Sequence, residues 1–139
     1  MSLEDLYQEK ILELSRISRN VDQLKNYKHL STSNNPVCGD TITLTLDYDK
    51  DFKITHYGHD VNGCVLCEAS AGLLSKFIIG KSLNDIKKLN QNVLQWLKSE
   101  TNISNIDDLD TFTPVKDFKN RHKCVTLSFD AVAKASNSL

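Results

Sequence analysis

Four cysteines and one aspartate are the residues of this chain best placed to do chemistry. Cys38-Gly39-Asp40 sets a thiol and a carboxyl two residues apart, and the glycine between them permits a positive φ or a close approach to a bound ion. Cys64 follows Asn62-Gly63 and opens a helical stretch, where the helix dipole favours a thiolate. Cys124 follows the basic run Lys119-Asn120-Arg121-His122-Lys123, so Arg121 and Lys123 are auxiliary cations expected to draw its pKa from about 8.5 toward neutrality. Cys38, Asp40, Cys64 and Cys124 together make a tetrahedral ligand set. Three soft thiolates and one harder carboxylate suit zinc, or iron within a [2Fe–2S] cluster.

The fourth cysteine completes Cys64-Val65-Leu66-Cys67. Three readings of this pair compete: two ligands of one metal, a redox dithiol, or one functional cysteine beside a packed one. The last is preferred, with Cys67 as an auxiliary thiol, because cysteine is so often simply buried. A dithiol oxidoreductase would need a βαβ context, which the hairpin expected before Cys64 does not supply. His29, His56 and His59 are read as surface or strand residues, since nothing pairs them at ligand spacing.

The elements that must position these residues are legible in part. Leu3, Leu6, Tyr7, Ile11, Leu14 and Ile17 form a helical stripe over 3–17, with Ser2 and Asp5 resembling a capping box. Residues 18–37 are polar and without period, and are read as a loop delivering Cys38, with a turn at Asn34-Asn35-Pro36. Thr41–Tyr48 alternates as a half-buried strand does. A tight connection at 49–51 then returns the chain through 52–57, an antiparallel hairpin extending toward Cys64. The spacing predicts a buried helix over 65–79 stopped by Gly80, and a second helix opened by Ser82 and Asp85. A short helix near 104–110 and a last helix over 124–136 follow. The fold expected is α+β, a small antiparallel sheet with helices packed on it, in one domain spanning 1–139.

Composition narrows the function. At 139 residues the chain can bury roughly two-thirds of its unfolded surface. Its 40% hydrophobic and 25% charged content is ordinary for a globular domain. A net charge of −1 argues against a nucleic-acid partner. Apolar runs as short as Phe77-Ile78-Ile79 argue against a membrane span. The acidic start Ser2-Leu3-Glu4-Asp5 has no signal-peptide core, so a cytoplasmic, reducing compartment is expected, where cysteines serve metal or sulfur chemistry.

Three blocks resemble a known family. Asn35-Pro36-x-Cys38-Gly39-Asp40, Gly63-Cys64-x5-Ser70 and Arg121-x-Lys123-Cys124-x-x-Leu127 are similar in type and order to the U-type iron–sulfur assembly family, which includes IscU, the NifU N-terminal domain and SufU. Leu6-Tyr7-x3-Ile11 with Arg19-Asn20 resembles that family's first helix, and the long stretch from Cys64 to Cys124 is closest to the SufU branch. The resemblance implies a protein that accepts sulfur from a cysteine desulfurase, scaffolds a nascent [2Fe–2S] cluster, or both, at a Cys3Asp site. It would be a scaffold or zinc-dependent sulfurtransferase partner rather than a free-standing enzyme. Apo iron–sulfur proteins or a downstream carrier are the further partners implied. Cys38 and Cys124 would be the nucleophiles. This sequence departs from the family at Cys67, where a small residue such as Ser is usual, at Lys123, where the IscU branch has His, and at Leu14, Ser18 and Val61. The alternative is a zinc-binding interaction module that handles no sulfur.

Overall fold

The computed structural model describes residues 3–100 and 106–137, with side chains from 8 to 100 and from 106 to 135. The chain runs α1 (Leu3–Arg19), β1 (His29–Asn35), β2 (Asp40–Tyr48), β3 (Ile54–Asn62), α2 (Val65–Phe77) and α3 (Leu83–Lys98). A 3-10 helix over Leu109–Asp117 and a shorter one over Lys119–Arg121 lead into α4 (His122–Asn137). The strands form one antiparallel sheet in the order β1-β2-β3. The α+β architecture expected from the sequence is the one observed.

The inner sheet face is set by β2, whose Ile42, Leu44 and Leu46 are all fully buried. Register places Val61, His59 and Tyr57 of β3 beside them on one side. Ser33, Ser31 and His29 of β1 lie on the other. This corrects the reading of 18–37 as an unstructured loop. Strand β1 alternates in burial like any amphipathic strand, but its inward residues are Ser31, Ser33 and Asn35. The Ser31 hydroxyl donates to the Ala131 carbonyl of α4 at 2.8 Å, so a polar strand face is seated directly on a helix. The expected turn at Asn34-Asn35-Pro36 is displaced as well. Both asparagines lie in β1, the hairpin turn falls on residues 36–39, and Gly39 takes φ +74° with its N–H on the Asn35 carbonyl.

Helix α2 carries seven buried residues among thirteen and lies between α1 and α4. Gly72 is what lets α1 come close: a Cβ there would stand 2.0 Å from the Leu14 carbonyl oxygen. Helix α3 opens with the expected capping box, Ser82 Oγ accepting from Asp85 N at 3.0 Å and Asp85 reaching back to Ser82 N. The predicted Ser2–Asp5 box lies outside the described side chains. The short helix expected near 104–110 lies partly there too, and the helix found nearby is the 3-10 segment from Leu109, which holds Pro114.

His59 is on a strand, as read, but it is 2% exposed rather than on the surface. Tyr57 Oη stands 2.6 Å from its Nδ1, and its Nε2 stands 3.0 Å from the Ser18 carbonyl in the last turn of α1. With Nε2–H donating to Ser18 and Nδ1 accepting from Tyr57, the neutral ring satisfies both partners and ties α1 to β3. Burial lowers the His59 pKa from its ordinary value.

Two predictions follow from this packing. Gly72→Ala forces backbone against backbone, and urea unfolding should show a loss of about 1–3 kcal/mol or more. A histidine with a depressed folded-state pKa stabilises the fold above its unfolded pKa of about 6.5, and that contribution is lost as the pH falls toward the folded value. Stability should therefore drop on acidification below about pH 6.5 more steeply in the native chain than in His59→Gln. Parallel slopes in the two proteins would remove His59 as the cause.

Candidate metal centre

Three chain segments meet at the end of the sheet where β1 turns into β2. Cys38 sits on that hairpin turn, partly exposed, and Asp40 is the first residue of β2, buried to 1% exposure. Cys64 is the N-cap of α2, in extended conformation just beyond β3. Cys124 is in the first turn of α4 and fully buried.

The structure brings Cys38, Asp40 and Cys124 together, with ligand atoms all within 4.8 Å of one another. Cys124 Sγ is 3.5 Å from Cys38 Sγ. Cys64 Sγ lies 3.8 Å from Asp40 Oδ2, at the margin of the group. The Asp40 carboxylate is held by backbone as well: its Oδ1 accepts from Cys64 N–H at 2.9 Å. Gly63 makes this possible, because a Cβ there would stand 2.5 Å from that same oxygen.

Sequence reasoning treated Asn35 as a turn residue, yet it is a member of the site. It is 1% exposed, and its Nδ2 donates toward Asp40 Oδ2 at 3.4 Å and toward Cys124 Sγ at 3.7 Å. Its Oδ1 is buried without a hydrogen-bond partner. The place of Asn35 at the head of the Asn35-Pro36-x-Cys38-Gly39-Asp40 block and the inward register of β1 are the signals for its membership of the site. Ser70, one of the resemblance residues, is fully buried on α2 and donates to the Val125 carbonyl, locking the helix that carries Cys64 against the one that carries Cys124.

The auxiliary residues separate. Arg121 is exposed and hydrogen-bonds Cys124, the interaction that most raises its own pKa. Lys123 lines a groove of about 1120 Å³ between α3 and α4, together with Lys98, Lys116 and Asp130. His122 stands on the same groove with Nε2 2.9 Å from the Lys116 carbonyl. Cys67 is 1% exposed, in the core behind Cys64. Burial first, then the charges of Asp40 and Cys64, push its thiol up to about 12.

Cys124 does not behave as its sequence neighbours suggested. Burial, followed by Cys38, Cys64 and Asp40, pushes its thiol up rather than down. Adjacent cations count for less than expected because the buried thiol faces two more thiols and a carboxylate. Such a convergence of acidic groups in a low-dielectric place is unfavourable as anions alone. A divalent cation of soft character reverses that balance, and the donor set fits one.

The NifU-like N-terminal domain family matches residues 6–134 of the chain. The zinc-dependent sulfurtransferase SufU of Bacillus subtilis strain 168 is 30% identical over 136 residues, covering 96% of this chain and 90% of that protein. The iron–sulfur cluster assembly scaffold protein IscU of Streptococcus pyogenes serotype M1 is 29% identical over 135 residues, covering 96% of this chain and 84% of its own length. The crystal structure of a nitrogen-fixing NifU-like protein (N-terminal) from Brucella abortus has a TM-score of 0.85 at 28% identity, covering 97% of this chain and 94% of that one.

Gly63→Ala is expected to displace the Asp40 carboxylate without touching any ligand. Zinc affinity, read by competition with a chromogenic chelator, should fall about 10- to 100-fold, the range for lost support around a ligand. Unchanged affinity would mean Asp40 does not hold the ion.

Proposed function

The chain belongs to the NifU-like N-terminal domain family, and from that premise we propose that it accepts sulfur as a persulfide from a cysteine desulfurase at a Cys3Asp metal centre. The observation that carries the reading is the convergence of Cys38, Asp40 and Cys124 within 4.8 Å, with Cys64 against Asp40. Cys38, Asp40, Cys64 and Cys124 would hold the metal. Zinc bound there supplies charge that keeps the cysteines as thiolates until one is released.

The residues divide the work by their exposure. Cys38 lies on a four-residue turn beside Val37, which is 76% exposed. It is the thiol an external persulfide can reach. Its thiolate attacks the outer sulfur of the donor persulfide, forming a new S–S bond and returning the donor cysteine as a thiolate. Cys124, 3.5 Å away, is a thiol able to take that sulfur onward. Asp40 and Asn35 stay fixed through the exchange, because both are buried and bonded to each other. Arg121 supplies positive charge at the rim of the site.

The name of the Streptococcus relative, a scaffold protein, supports a second reading in which the same four residues carry a nascent [2Fe–2S] cluster as cargo. Metal analysis separates the two. A closed four-ligand zinc site predicts about one zinc per chain and no acid-labile sulfide in protein purified without air or chelator. Iron with matching sulfide would favour the scaffold.

Cys38→Ala and Cys124→Ala should each abolish stimulation of a cysteine desulfurase assayed by alanine release. Full stimulation by Cys38→Ala would remove the acceptor role from this chain.

A further inference from the structure

Resting on that sulfur-accepting reading, we propose that Cys67 is a resolving thiol, which discharges a persulfide on Cys64 as free sulfide by forming a Cys64–Cys67 disulfide. The two cysteines occupy the N-cap and third position of α2, with the Cys64 carbonyl already accepting from Glu68 N–H at 3.0 Å. These are the two positions of a capping box, where each side chain reaches back over the first turn toward the other residue. The same chain demonstrates it at α3, where Ser82 and Asp85 hold the equivalent positions, with near-identical N-cap dihedrals, and each side chain bonds the other residue's backbone N–H. In α2 the Cys64 side chain makes no cap hydrogen bond, so its sulfur is not committed to the helix end.

The gap to be closed is short. Residues three apart on a helix have Cβ atoms about 5–6 Å apart, and a disulfide needs them about 3.5–4.5 Å apart. The N-cap residue lies outside the helical ladder, so a small rotation at Cys64 closes the remaining gap. Exposure is graded in the direction the reaction needs. Cys64 is partly exposed and can take sulfur from Cys38 or Cys124, whereas Cys67 is 1% exposed and meets only what Cys64 brings.

The step balances within the chain. Cys67 Sγ attacks Cys64 Sγ, the inner sulfur of the persulfide. The bond between the two cysteine sulfurs forms and the persulfide S–S bond breaks. The terminal sulfur leaves with both electrons of that bond and takes the Cys67 proton, departing as hydrosulfide. Two cysteines remain as a disulfide, and a dithiol reductant of the thioredoxin class restores them. A sulfur acceptor built in this way delivers sulfide, the oxidation level that cluster assembly consumes, without an electron donor at the moment of release.

The test uses the full chain as purified without chelator, charged anaerobically by a cysteine desulfurase with cysteine, then desalted. Free sulfide is followed colorimetrically, and the peptides holding residues 64 and 67 are weighed by mass spectrometry. The native chain should release one sulfide for each Cys64–Cys67 disulfide formed. Cys67→Ser, which keeps size and polarity, should stay one sulfur heavier and release sulfide at least about tenfold more slowly, the attacking thiol being absent. Equal sulfide release by both proteins, or a stable persulfide and no disulfide in the native chain, overturns the resolving role and leaves sulfur acceptance standing. Absence of any persulfide, sulfide or disulfide in either protein overturns both.

Discussion

The Asp40 carboxylate is the constraint on which the site depends. A buried carboxylate is costly unless it is bonded and faced by positive charge. Asp40 obtains the bonds from the Cys64 backbone N–H and the Asn35 amide. Those two donors come from the end of β1 and the start of α2, so satisfying one carboxylate fixes the distance between the hairpin turn and the helix. Gly63 is the condition for it, since any side chain there would occupy the carboxylate's place. Cys124 then completes the cluster from a third direction, with its thiol driven toward protonation by the same crowding. The carboxylate both assembles the thiols and makes them unfavourable neighbours without a cation.

Holding α4 in that position is the task of contacts well away from the candidate site. The Ser70 hydroxyl reaches across from α2 to the Val125 carbonyl, one residue past Cys124. Ser31 does the same from β1 to Ala131, two turns further along α4. Polar side chains serve better than apolar ones here because a hydrogen bond to a helix carbonyl fixes direction as well as separation. Gly72 contributes on the other side, letting α1 lie against α2 closely enough for His59 to grip the Ser18 carbonyl. Small residues and hydroxyls thus set the geometry, and the large buried side chains supply the cohesion.

Much of this was legible in the sequence, for reasons that can be named. Thr41–Tyr48 alternates because β2 is the central strand with one face in the core, and Ser82 with Asp85 marks a helix start because the two side chains bond reciprocally. Cys38, Asp40, Cys64 and Cys124 stand out because their residue types and flanking glycines are unusual outside metal or sulfur sites. Strand β1 was hidden because hydrophobic periodicity is blind to a strand whose inward positions are Ser31, Ser33 and Asn35. The 3-10 helix from Leu109 was hidden because three residues per turn and an internal proline leave no period of 3.6 to detect. The pull on Cys124 was misjudged because sequence adjacency does not show burial: the thiol lies fully buried against two more thiols and a carboxylate, while Lys123 lines the groove beside α3. Chain neighbours announce charge; only the fold says which way it faces.

The order of exposure among the four thiols gives the site a direction. A symmetric set of four equivalent cysteines would hold metal firmly but would offer no entry and no exit for sulfur. Here Cys38 stands on a turn with an exposed flank, Cys64 is half-sheltered at a helix start, and Cys124 and Cys67 are buried. Replacing the fourth sulfur of such a set with Asp40 lowers the softness of the site without loosening its geometry, because the carboxylate is anchored by backbone rather than by the ion alone. Under the proposed function, one thiol could then leave for sulfur exchange while the carboxylate stays in place. Exchange between neighbouring thiols requires only that each lie within bonding reach of the next, which the 3.5 Å approach of Cys38 and Cys124 satisfies. Under the proposed function, sulfur entering at the exposed end would meet progressively drier thiols, and the chemistry open to it would be decided by which of them it reaches.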